Sequence, residues 1–249
     1  MRPLSLVASL FLCLFLAACG PGGGTPADGG GDGTAQASEG GSDDSAAGGG
    51  SAVASSDALP NVELLKKPYD AGMNAEAPAV FKAKFATTKG DFVVEVHREW
   101  SPRGADRFYN LVKAGFFDDV VFFRAVRGFM VQFGIHGDPD ISRFWRSASI
   151  KDDPVIKSNR RSYLSFAMAG PHTRSTQFFI NTVDNTGLDK QGFSPFGQVI
   201  EGMDVVDSLH TGYGEQPSRY QGDIQRKGNA FLDERYPDLD RIKTARLVD

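Results

Sequence analysis

The sequence predicts a mainly β domain, a closed antiparallel barrel accompanied by two α-helices. Three observations predict it. Apolar and polar residues alternate over short runs, first at Phe81-Lys82-Ala83-Lys84-Phe85-Ala86, the period of a half-buried strand. Seven or more such runs follow one another after Val80, most joined by glycine-containing turns, the layout of a small barrel. Before the C-terminal extension only two stretches read as helices.

The elements follow in order. Thr88-Lys89-Gly90-Asp91 supplies a turn after the first strand, and Phe92–Val96 forms the second. Ser101-Pro102 predicts a helix start, with serine as N-cap and proline at the first helical position. Ala105, Phe108, Leu111 and Val112 then recur on one helical face, and Gly115 ends the helix. Further strands are expected at Val120–Val126, Phe129–Phe133, Tyr163–Ala167, Phe178–Thr182 and Phe196–Ile200, with the second helix at Met203–Leu209. From about residue 213 a glycine- and charge-rich extension continues. It is expected to pack on the domain, with a short helix near Ile224–Leu232 and a last strand at Lys243–Val248 closing against the first strands.

Charge is divided unevenly along the 249 residues. Gly20 to Leu59 holds six acidic residues and no Lys or Arg, whereas Pro60 onward holds 26 basic and 25 acidic residues. The domain therefore lacks the basic excess of a non-specific nucleic-acid binder. The only cysteines are Cys13 and Cys19. Their position excludes a disulfide framework, a thiol nucleophile and a cysteine metal site from the domain. The four histidines have no paired metal-ligand spacing, and no metal site is read from them.

The leader is read as an address. After Arg2, Leu4–Ala18 is an almost unbroken apolar run. It is shorter than the roughly 20 residues of a membrane span and matches a signal-peptide core. Leu16-Ala17-Ala18-Cys19-Gly20 resembles the bacterial lipoprotein lipobox. That resemblance implies cleavage before Cys19, lipid on Cys19, and an exported protein anchored to a bacterial membrane, in the periplasm or cell envelope. The chain is thus divided into a signal peptide at 1–18, a tether at 19–59, a transitional segment at 60–79 lying on the domain surface, and the domain at 80–249. The tether is Gly, Ser, Ala and Asp with almost no large apolar residue, so it cannot offset the entropy of ordering. A coil of roughly 40 such residues reaches about 35 Å.

Three blocks identify a family. Phe122-Phe123-Arg124-Ala125-Val126-Arg127-Gly128-Phe129-Met130-Val131-Gln132 resembles the first signature of the cyclophilins. Leu164-Ser165-Phe166-Ala167-Met168-Ala169-Gly170-Pro171, continued by Thr173 and Ser175-Thr176-Gln177-Phe178-Phe179-Ile180, is similar to their second. Leu188-Asp189 and Gly192-Phe193-Ser194-Pro195-Phe196-Gly197 match the segment leading into a late strand. The resemblance covers about residues 80–208. It implies eight strands, the two helices as end caps, and peptidyl-prolyl cis-trans isomerase activity without cofactor.

The resemblance also assigns residues. Arg124 matches the catalytic arginine, with Phe129 and Gln132 beside it. Met130, Phe179, Leu188 and Phe193 match the walls of a proline pocket, Ala167 and Met168 the backbone edge along which the peptide lies, and Gln177 a further peptide contact. Three departures stand out. Phe193 stands where family members often have histidine, and an aromatic there still walls the pocket. Asn185-Thr186-Gly187 lacks the tryptophan found near there in family members. Arg127 replaces the usual proline at the rim, where it would favour acidic flanks. The expected partners are proline-containing polypeptides, engaged by a monomer that assists folding of exported proteins. The same groove would also serve a proline-segment binding module or holdase that needs no turnover.

Overall fold

The structure, a computed structural model, describes residues 60–249. The readings placed on residues 1–59, the signal peptide, Cys19 and the tether, lie outside the described residues. Among the described residues no helix is long and apolar enough to cross a membrane.

Eight strands form one antiparallel sheet: β1 (Val80–Thr87), β2 (Gly90–His97), β3 (Arg124–Val126), β4 (Met130–Phe133), β5 (Tyr163–Phe166), β6 (Phe178–Asn181), β7 (Pro195–Glu201) and β8 (Ile242–Val248). Their order is β3-β4-β6-β5-β7-β2-β1-β8. The alternation read at Phe81–Ala86 is the observed one. Phe81, Ala83 and Phe85 point into the core, and so do Phe92, Val94 and Val96 of β2. Phe85 lies opposite Phe92 in the β1–β2 register, and their rings stack at 4.9 Å. Such a pair adds to the stability that burial alone supplies. Phe108, Phe117, Phe133, Phe166, Phe178 and Phe196 complete a phenylalanine-rich interior.

The expected closed barrel is not what forms. The sheet curls into a half-barrel whose edge strands, β3 and β8, share no ladder. The two edges meet only at the bridge Val121–Arg241, flanked by Phe122 N–H donating to Asp240 O (2.9 Å) and Ile242 N–H to Val120 O (2.8 Å). The run 120–126, read as one strand, is regular only over its last three residues. The reason is a division of labour by alternate residues. Val120 and Phe122 enter the main core, while Val121 and Phe123 face a second apolar cluster built by the C-terminal extension.

Six α-helices occur among the described residues: α1 (Val62–Leu65), α2 (Pro102–Lys113), α3 (Pro139–Trp145), α4 (Met203–Asp207), α5 (Gln221–Lys227) and α6 (Asn229–Arg235). Helix α2 starts and stops where expected, with Pro102 in its first turn and Gly115 following it at φ +76°. A Cβ on Gly115 would also stand 3.0 Å from Pro60 Cα. Ser101, however, makes no cap bond with its own side chain. Its hydroxyl donates to Asp153 Oδ2 (2.7 Å), and Asp153 itself accepts the Gly104 N–H (3.0 Å) and the Arg103 N–H (3.3 Å). A carboxylate some 50 residues away caps the helix, in the position where an anion is also favoured by the helix dipole.

Residues 60–79 do more than lie on the surface. Leu65 and Met73 are buried in the main core, and Leu65 O accepts the Trp145 indole N–H at 2.6 Å. Trp145 belongs to α3, a helix not among the elements expected from the sequence. Asp138 caps it by accepting the Asp140 N–H (2.8 Å). At seven residues it is too short to show helical periodicity, and the buried Trp145 anchors it.

The extension packs on the domain, as expected, and the single predicted helix is a pair, α5 and α6. Ile224, Phe231, Leu232 and Tyr236 bury against Val121, Phe123 and Ile135. The chain then enters β8, which pairs with β1 from Lys82–Val248 to Thr87–Ile242.

Candidate functional site

Strand parity decides which residues reach the site. In register across β3, β4, β6 and β5, Ala125, Val131, Ile180 and Leu164 face the interior. The next row, Arg124, Gln132, Phe179 and Ser165, therefore faces the opposite side. Met130 stands two residues from Gln132 and shares its face. One row of side chains thus places a cation, an amide and an aromatic ring side by side.

Arg124 and Gln132 are direct cross-strand partners, and Arg124 Nη1 donates to Gln132 Oε1 at 2.9 Å. Gln132 is buried and passes the contact on, its Nε2 donating to Gln177 Oε1 (2.9 Å). The Arg124 guanidinium lies 5.9 Å from the Phe129 ring centroid. Phe129 is held in place through its carbonyl, which accepts the Thr182 N–H (3.0 Å) and Asn185 Nδ2 (2.8 Å).

The apolar part adjoins this polar chain. Phe179, opposite Gln132, meets Phe193 edge-on with centroids 5.6 Å apart. Met130 and Phe179 are buried, whereas Phe129, Leu188 and Phe193 are half-buried, giving a floor with accessible walls. Leu188 lies on a 3₁₀ turn (Thr186–Gln191), and its carbonyl accepts the Phe193 N–H. Ala167 and Met168, both half-buried, continue β5, and the Ala167 N–H donates to Gln177 O (2.9 Å). Contacts and strand pairings thus bring Arg124, Phe129, Gln132, Ala167, Gln177, Phe179, Leu188 and Phe193 together. Met130 and Met168 follow as chain neighbours.

Several positioning residues escaped the sequence reading. Asp189 accepts from Ser158 Oγ and from both the backbone N–H and Nδ2 of Asn159 (2.8 Å each). Asn159 Nδ2 also reaches Phe193 O (2.8 Å), and Asn159 Oδ1 accepts from Ser165 Oγ (2.8 Å). These bonds fix the turn carrying Leu188 and Phe193 to the back of the groove. Burial would push the Asp189 carboxyl up, but the bonds from Ser158 and Asn159 outweigh it and hold the group below its usual range. Asp189 was visible only as part of a family block, and Asn159 carried no signal.

Two further residues come from the extension. Glu215 takes Arg124 in a bidentate ion pair, with Nη2–Oε1 at 2.7 Å and Nε–Oε2 at 2.9 Å. Gln221, on α5, accepts from Gln177 Nε2 at 3.2 Å. Arg127 is exposed on the β3–β4 turn and lines a cavity of about 200 Å³ with Thr182, Val183, Asp207 and Thr211.

The curled sheet and its groove define a known class of fold. The structure is similar to the crystal structure of a cyclophilin type peptidyl-prolyl cis-trans isomerase from Cryptosporidium parvum. The match covers 68% of this chain and 98% of that one, with a TM-score of 0.53 at 21% identity. The family model described as cyclophilin type peptidyl-prolyl cis-trans isomerase/CLD matches residues 82–228. The chain belongs to the cyclophilin family. Peptidyl-prolyl cis-trans isomerase B of Escherichia coli is 31% identical over 50% of this chain and 81% of its own length. A longer peptidyl-prolyl cis-trans isomerase of Arabidopsis thaliana is 30% identical over 67% of this chain, which spans only 27% of that relative.

Proposed function

We propose that the chain catalyses cis/trans rotation about X–Pro peptide bonds, with Arg124 as the catalytic group. The observation that carries this reading is Arg124 held by Gln132 beside the Phe179–Phe193 wall. Rotation is opposed by amide resonance worth about 18–20 kcal/mol. X–Pro bonds in either isomer differ by only ~0.5–1 kcal/mol yet exchange over tens of seconds or more. No covalent bond needs to break, so the catalyst has only to bind the twisted amide better than either planar form.

In the twisted form the proline nitrogen regains its lone pair and accepts a hydrogen bond. A guanidinium beside it acts mainly at that moment, and its planar fork offers several donors in fixed directions. Phe129, Met130, Phe179, Leu188 and Phe193 seat the proline ring. Gln132 orients Arg124, Gln177 holds the peptide, and the Ala167–Met168 edge receives its backbone. Helices α2 and α4 act as the two end caps of the half-barrel. Every group invoked comes from one chain, so the proposed site needs no second copy of it. The test is NMR exchange on an X–Pro peptide with the purified full chain. Acceleration over the uncatalysed rate is expected, and its absence refutes the activity.

The apolar run ending at Ala17-Ala18-Cys19 supports a further proposal, that the mature protein is exported and lipid-anchored through Cys19. Its clients are then proline-containing envelope proteins within reach of the tether. An alkyne fatty acid is expected to label the wild type and not Cys19→Ala. Equal labelling of both rejects the anchor.

A further inference from the structure

The Arg124–Glu215 pair joins the groove to the extension. Glu215 sits on the turn between α4 and α5, and that turn is well held. Pro217 is buried, Tyr213 Oη donates to Asp238 Oδ2 (2.8 Å) and stacks edge-on with Tyr236 at 5.1 Å, and Ser218 Oγ donates to Glu215 O (2.8 Å). The second apolar cluster fixes the whole segment to Val121, Phe123 and Ile135. The carboxylate is therefore presented to Arg124 by a folded element.

The pair occupies one complete edge of the guanidinium fork, Nε and Nη2, while Gln132 holds Nη1 from the other side. Because Gln132 already orients the fork, Glu215 is not needed to place it. Its carboxylate instead competes with a substrate carbonyl and cancels much of the positive charge available to a twisted amide. The contact is also displaceable, because it is open to solvent, with side-chain exposures of 25% for Arg124 and 48% for Glu215, and salt screens it.

We propose that Glu215 is a specificity-determining residue that occupies Arg124 until a peptide displaces it, and selects proline segments carrying a Lys or Arg beside the proline. A cationic flank draws the carboxylate off Arg124 and frees the fork. A neutral flank must displace it unaided, and an acidic flank is repelled by it. This inference rests on the isomerase reading and adds the substrate class to it. It reverses the preference for acidic flanks that Arg127 alone would give.

The test uses the full chain, as wild type and as Glu215→Gln, with three X–Pro peptides whose flanking residue is Lys, Gln or Glu. At low ionic strength the wild type is expected to turn over the Lys peptide roughly threefold or more faster than the Glu peptide, judged by kcat/KM. Glu215→Gln should raise kcat/KM for the Gln and Glu peptides roughly two- to fivefold, the range open to an exposed pair, and bring the Lys/Glu ratio towards one. Raising salt from ~0.02 M to ~0.5 M, which shortens the screening length severalfold, should do the same to the wild type and little to the variant. An unchanged ratio in the variant overturns the proposal. So does an equal loss with all three peptides, which would make Glu215 a positioning residue for Arg124. If neither protein accelerates exchange, the isomerase reading falls. Peptide affinities then judge Glu215 alone, and equal Lys/Glu affinity ratios in the two proteins overturn its role.

Discussion

Replacing Arg124 with alanine is expected to lower kcat/KM for an X–Pro peptide on the order of 100-fold, the scale on which a preorganised donor to a developing acceptor acts. Peptide affinity should change far less, because the proposed seat of Met130, Phe179 and Phe193 is left intact and Gln177 remains. Arg124→Lys should recover little, since an ammonium cannot donate to Gln132 and the proline nitrogen in the same fixed plane. NMR exchange measures turnover and a peptide titration measures affinity in the same samples. Arg124 is only partly buried and its loss leaves Glu215 half-exposed, so the unfolding midpoint should hold. Unchanged turnover in Arg124→Ala would remove this residue from the mechanism.

The second large effect concerns folding. Asp153 and Arg174 are both almost fully buried and pair at 3.0 Å. Asp153 also takes the Ser101 hydroxyl and the first N–H groups of α2, while Arg174 donates to Ser101 Oγ and Lys151 O. Removing one member of a buried pair leaves the other charge uncompensated and costs about 3–5 kcal/mol. Asp153→Asn is expected near the low end, about 3 kcal/mol, because Asp152 Oδ1 still stands 3.4 Å from Arg174 Nε. Urea unfolding at neutral pH measures the loss.

The pH dependence of this effect has a definite sign. Burial pushes the Asp153 carboxyl up, but the bonds from Ser101, Arg174 and Gly104 together hold it below its ordinary value of 3.8. A depressed carboxyl adds stability that is fully present above the unfolded-state pKa and disappears as pH falls through the folded one. The gap between wild type and Asp153→Asn should therefore be constant near neutrality and shrink below about pH 4. Asp189, depressed in the same way, should steepen the acid limb of both proteins. A gap independent of pH down to about 2 would show that the Asp153 charge is not what matters.

Much of the groove is legible in the sequence. Arg124, Phe129, Met130 and Gln132 lie within one short block, and strand parity alone separates Arg124 and Gln132 from the inward Ala125 and Val131. Phe178 and Phe179 are adjacent aromatics with opposite fates, one in the core and one at the site. That follows from a side-chain period of two. The role of Asp189 was half-visible, because its block was recognised while its partners, Ser158 and Asn159, lie 30 residues earlier on an irregular stretch.

The sequence by itself determined the strand faces, the start and end of α2, the family and most of the residues that the structure brings together in the groove. Those features depend on local period, turn chemistry and contiguous blocks. Only the tertiary structure decided that the sheet stays a half-barrel, that Asp153 and not Ser101 caps α2, and that Glu215 covers Arg124. Each of those depends on a contact between segments about 50 to 120 residues apart. Local pattern cannot encode such a contact, because a lone carboxylate in a loop looks the same whether it meets water or a guanidinium. Burial and geometry select its partner only once the chain has folded.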